Sequence, residues 1–279
     1  MTATMMKYQG LGLPSERRQE LPAPDSEMQE LLHRYCTLHD EERRLNFDET
    51  VRKAHQLFNV RMTQERISLF LEYTQKYRNS EFYGLKTGIC LSALVQCALN
   101  DHPEISLTIP PKIERVCYGL KPERKKQLNV TLNGDVGQYC LQNAGTASLP
   151  KYLSAIIRGN CENNLGCGSS EIQVCVEGDC GALTGERAWR SFFEIKGSTG
   201  HSLGYLSNGS VFDIAGALDE GCGENSISSC YILRGNIGRQ VGRNAVGCTF
   251  KTTPENYDLL RRMVPDGNKV QVITESFEW

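Results

Sequence analysis

Histidine is scarce in this chain, with five among 279 residues: His33, His39, His55, His102 and His201. Long apolar runs are missing altogether. Nothing approaches the roughly 20 residues that cross a bilayer as a helix, so no membrane insertion is expected. The first stretch, 1–26, has no apolar core of a secretory signal and reads as a flexible lead-in. The expected location is the cytosol, and a protein exported by a specialised machine would equally need no cleaved signal. Neither sign of charge dominates: 31 basic residues face 33 acidic ones, for a net charge of −2. Such a balance makes no field that would gather nucleic acid. The one basic run, Lys121 to Lys126, contains Pro122 and reads as a solvated loop.

Cysteine, by contrast, is abundant, with twelve. In a chain of this length without a signal, these are expected to be reduced thiols, several of them plain core residues.

Helical signals come first. Ser26 and Gln29 form a capping-box pattern ahead of Met28, Leu31, Leu32 and Tyr35 on one face. Asp48 is the expected cap of a second helix, and Thr63 of a third through Ile67, Phe70 and Leu71. After Gly84 and Gly88, the residues Leu91, Leu94, Val95, Ala98 and Leu99 follow helical spacing, so a central helix is expected. From 101 to 170 the pattern is mixed, with a short helix at Lys151 to Ile157. Beyond 171 strands are expected at Ile172–Val176, Ser191–Ile195, Leu203–Leu206, Ser210–Ile214, Ser229–Leu233, Val246–Lys251 and Val270–Ile273, with a short helix after Thr253-Pro254. Asn208-Gly209 reads as a hairpin turn. No internal repeat is read. Helices followed by strands predict an α+β fold, a single domain over 27–279 in which a central helix packs on an antiparallel sheet.

A thiol is a nucleophile only as thiolate, and a helix N-terminus favours that form. With Thr87 as cap, Cys90 would lie in the first turn of the central helix. Backbone N–H groups there would hold an oxyanion, and Gly84 and Gly88 would admit a substrate backbone. The partner base is found by elimination. Three histidines fall in the N-terminal helices, and His102 ends the helix that Cys90 begins. His201 is the remaining one. In the expected hairpin, His201 opens one strand and Asp213 closes the other, so carboxylate and imidazole would meet.

Other motifs compete. Gly200-His201-Ser202-Leu203-Gly204 spells the G-x-S-x-G elbow of lipases, although no histidine follows Ser202. Cys161, Cys167, Cys175 and Cys180 form a cluster whose spacing fits structural zinc poorly. His33, Cys36 and His39 do not share one helix face. The Gly235–Gly242 stretch lacks a phosphate-binding pattern and reads as a surface loop. No cofactor or metal is expected.

Gly88-Ile89-Cys90 at a helix start, followed by a distant His–strand–turn–strand–Asp unit, resembles the papain-like cysteine peptidases of clan CA. The nearer likeness is to bacterial effector forms typified by YopT, AvrPphB and IpaJ. The resemblance implies Cys90 as nucleophile, His201 as general base and acid, Asp213 as orienter, and Thr87 or the Cys90 backbone N–H at the oxyanion position. It also implies a protein substrate, such as a protein of a host cell into which a specialised secretion system would export the chain. Deamidation and acyl transfer share the same thioester step. A non-catalytic binding protein, with or without a Cys-rich metal site, is the reading from a different class.

Overall fold

The computed structural model describes residues 21–41, 47–122, 127–148 and 153–273. The expected lead-in and most of the basic run fall largely outside the described residues. No described helix is long and apolar enough to cross a membrane.

Three helices come first among the described residues, α1 (Ser26–Glu41), α2 (Phe47–Leu57) and α3 (Gln64–Thr74). The cap of α1 is Asp25, one residue before the expected Ser26, and its Oδ1 accepts from Met28 N at 2.8 Å. Thr63 caps α3 as expected, its side chain accepting from Arg66 N. Tyr35, Phe58 and Phe70 interlock edge to face between these helices. The central helix α4 (Tyr83–Asp101) is buried along most of its length, from Tyr83 to Leu99.

The remainder overturns the antiparallel sheet. Nine strands form one sheet in sequential order with every neighbouring pair parallel. They are β1 (Glu104–Thr108), β2 (Leu128–Asn133), β3 (Leu153–Arg158), β4 (Ile172–Val176), β5 (Phe192–Ile195), β6 (Val211–Ile214), β7 (Cys230–Leu233), β8 (Thr249–Thr252) and β9 (Lys269–Val272). The Lys151–Ile157 helix is therefore largely strand β3, while 151–152 lie outside the described residues. A ten-residue helix, α5 (Pro254–Met263), lies between β8 and β9.

Parallel neighbours in sequential order mean that the chain winds as a solenoid, and coil n is taken to start at strand βn. Bridges on its other sides are parallel as well. A period hidden in the sequence drives this. From β3 to β8 equivalent strand residues lie 19 apart, and the two earlier steps, β1 to β2 and β2 to β3, are 25. The second residue of successive coils stacks as Phe193, Phe212, Tyr231 and Phe250, with ring centroids 5.1, 5.1 and 5.0 Å apart and ring planes nearly parallel. Each such pair contributes about 0.5–1.5 kcal/mol beyond its buried area. At the preceding corner a hydroxyl ladder satisfies buried amides. Ile172 N donates to Ser191 Oγ, Ser191 N to Ser210 Oγ, Ser210 N to Ser229 Oγ, and Ser229 N to Cys248 Sγ.

The corners are made by residues in the left-handed region. In the fifth coil these are Ser202 (φ 60°), Gly204 (65°), Leu206 (57°) and Gly209 (62°), and the neighbouring coils repeat them. Alternate amides then point to opposite neighbours. Ser202 N donates forward to Glu220 O, Gly204 N back to Thr184 O, and Leu206 N forward to Glu224 O. The backbone is thereby satisfied on every side, which is what allows so much of it to be buried. The expected strand at 203–206 and the hairpin at Asn208-Gly209 are these corners instead. Gly178, Gly197, Gly216 and Gly235 recur every 19 residues, as do Ser191, Ser210 and Ser229, so the expected absence of a repeat is corrected too.

The helices close the first coil. Gly84, Gly88, Ser92 and Gln96, each four residues apart, form the face of α4 that meets it. A Cβ on Gly88 would lie 1.6 Å from Glu114 O, and one on Gly84 1.9 Å from Lys112 O. Ser92 Oγ donates toward Gly88 O and Arg115 O and accepts from Tyr118 N. Gln96 caps Lys121 through both its amide atoms. The two glycines expected to admit a substrate backbone admit the chain's own first coil.

Candidate functional site

Cys90 does not head its helix. Since α4 begins at Tyr83, with Phe82 as N-cap at φ 61°, Cys90 sits two turns in and is 0% exposed. Burial pushes its thiol far above the ordinary range, outweighing the nearby positive charge of Lys86. A fully buried, protonated thiol is a core side chain. Thr87, expected at the oxyanion position, is equally buried, and its Oγ1 lies 3.0 Å from Tyr35 Oη.

His201 stands on an exposed corner of the fifth coil, with Nδ1 3.3 Å from Ser202 Oγ. Asp213 lies on β6 and is held by Arg234 of the next coil, with Nε–Oδ1 at 2.9 Å and Nη2–Oδ2 at 2.7 Å. This bidentate pair occupies both oxygens that an imidazole would need. The hairpin that was to join His201 to Asp213 is absent, because β6 pairs in parallel with β5 and β7. Cys90 is further still. Its helix docks on the first coil, and coils stack about 4.8 Å apart, so His201 lies roughly 19 Å along the axis and Asp213 about 24 Å. The solenoid brings none of the three together.

The competing motifs resolve similarly. Ser202 has φ 60° in a solenoid corner, so G-x-S-x-G here is no strand-to-helix elbow. Cys161 and Cys180 stack inside adjacent coils, and burial holds the Cys161 thiol well above its usual range. Cys167 sits outside the core with Sγ 3.7 Å from Glu186 Oε2, and Cys175 lies at an outward position of β4. With two thiols inside and two outside, the four do not converge. Among the described residues no group of three or more His, Cys, Asp or Glu side chains is placed to hold a metal. Cys36 Sγ lies 3.0 Å from Tyr77 Oη. The Gly235–Gly242 stretch packs closely on the preceding coil, with Gly235 against Gly216 and Gly238 against Asp219.

What sequence reading missed is a column on the side of the solenoid. Trp189, Asn208, Ile227 and Val246 are joined in succession by parallel bridges, one residue per coil. Ile227 is 48% exposed and Val246 63%, while Leu206, two residues before Asn208, is 38% exposed. Arg190 lies over the Trp189 ring at 4.8 Å. The 19-residue spacing of these outward residues was the available signal, and it becomes visible only once the period is recognised. No family model, curated protein or solved structure matches the chain.

Proposed function

We propose that the chain is a non-catalytic binding scaffold that docks a protein partner along the Trp189–Val246 column. The single observation behind this reading is the stacking of exposed Ile227 and Val246 on consecutive coils. Scattered exposed apolar side chains need no explanation, but an aligned set on a rigid surface is a feature of interaction sites. A solenoid supplies the rigidity, because each coil is fixed by its neighbours and presents an extended side face. A thiol hydrolase would need an accessible thiolate beside its base, and the burial of Cys90 and the pairing of Asp213 with Arg234 count against one. Delivery into a host cell was implied only by the peptidase resemblance and has no other support.

The test is photo-crosslinking from position 246, with exposed Asn236 as reference site, in extract of the source cells. A discrete partner captured from 246 but not from 236, and lost on Ile227→Asp, is the expected result. The same products from both sites would overturn the reading.

A further inference from the structure

The chemistry around the column selects among partners, and this selection rests on the binding-scaffold function proposed for the column. Three arginines flank it, and each is paired with a glutamate that lies deeper. Arg190 is 61% exposed and its partner Glu171 7%, with Nη1–Oε1 at 3.5 Å. Arg187 is 65% exposed against 15% for Glu186. Arg243 is 57% exposed against 13% for Glu224, the pair linking adjacent coils. The carboxylates hold the guanidinium groups from beneath, so a partner meets the arginines first. A guanidinium has five N–H donors in a planar fork, and one glutamate engages only part of them.

We infer that the column takes an extended acidic segment of a partner protein, with apolar side chains on Ile227 and Val246 and carboxylates on Arg187, Arg190 and Arg243. Trp189 to Val246 spans three coil steps, about 14 Å, which matches roughly four residues of extended chain at about 3.3 Å each. A single-stranded nucleic acid would be drawn by the same arginines but needs aromatic faces for its bases. The column has one such ring, Trp189, and Arg190 already lies over it. Aliphatic Ile227 and Val246 suit peptide side chains instead.

The probe is a fluorescein-labelled six-residue peptide of alternating Glu and Leu, compared by anisotropy with its Lys and Leu counterpart and with a labelled oligothymidine. The full chain is used, with Val246→Asp and Arg187→Gln variants whose melting is checked first. Both sites are well exposed, so both variants are expected to melt like the parent. The acidic peptide should bind at least about tenfold more tightly than the basic one, and Val246→Asp should weaken it by a similar factor. Raising salt should loosen it, since exposed charges are screened within about 10 Å at 0.1 M. Equal binding of both peptides, preference for the oligonucleotide, or a Val246→Asp variant that binds like the parent would each overturn the inference. If neither peptide binds while crosslinking at 246 still captures a partner, the acidic-peptide inference fails and the scaffold reading stands. If crosslinking also fails, the scaffold reading falls with it.

Discussion

Asp213 and Arg234, 21 residues apart, meet through two hydrogen bonds of 2.9 and 2.7 Å that tie the sixth coil to the seventh. The side chain that resembled a catalytic orienter is thus a strut between coils. Removing one partner of a recessed bidentate pair leaves the other charge poorly solvated. Asp213→Asn is expected to lower stability by about 1–3 kcal/mol, measured by urea unfolding. His201→Ala, at an exposed corner, should change it by no more than about 0.5 kcal/mol. Equal losses would contradict the assignment.

Gly88 is the point where helix and solenoid touch most closely. A methyl group there has no flexible neighbour to displace, since the obstacle is the Glu114 carbonyl. Gly88→Ala would ordinarily stabilise a helix by roughly 0.5–1 kcal/mol. Here it should destabilise by about 1–3 kcal/mol through overpacking, read as a lowered melting temperature. A rise would show that α4 docks less tightly.

The aromatic column should behave as a chain of nearest neighbours. Phe212→Ala removes the ring between Phe193 and Tyr231 and should cost about 3–5 kcal/mol. Hydrogen exchange should quicken most in the fifth to seventh coils, with α1 to α4 less affected. Uniform quickening would argue for a single cooperative unit.

Buried thiols make the fold alkali-sensitive. Burial holds Cys90, Cys140 and Cys222 well above their ordinary range and pushes Cys117 up to about 12. Folded values above unfolded ones give stability that is fully present below the unfolded thiol value, about 8.5, and lost as pH rises toward the folded value. Between pH 8.5 and 10 each such thiol should remove up to about 1.4 kcal/mol per pH unit. Urea midpoints across that range should fall steeply, and less steeply in Cys117→Ala. Iodoacetamide on the native protein should reach half-buried Cys97 before Cys90, and early labelling of Cys90 would reopen its candidacy.

Much of the secondary structure was legible. The cap at Thr63, the apolar face of α4, and the strands at Ile172, Phe192, Val211 and Cys230 follow from local spacing and propensity. Local signals failed where two conformations share one signature. Asn208-Gly209 suits a hairpin turn, yet equally suits a solenoid corner, because both need left-handed backbone at Gly209. The same holds for Gly88, whose missing side chain serves a ligand or a neighbouring coil alike.

By itself, then, the sequence determined where most helices and strands lie and where the chain bends, since apolar spacing sets the first and glycine and asparagine the second. Only the tertiary structure decided what those residues meet. Parallel winding gives each coil the same partner positions as the last, so Asp213 faces Arg234 rather than His201. Docking of α4 on the first coil seals Cys90 away from water. The same winding aligns Ile227 with Val246, 19 residues on, and turns single exposed side chains into a surface.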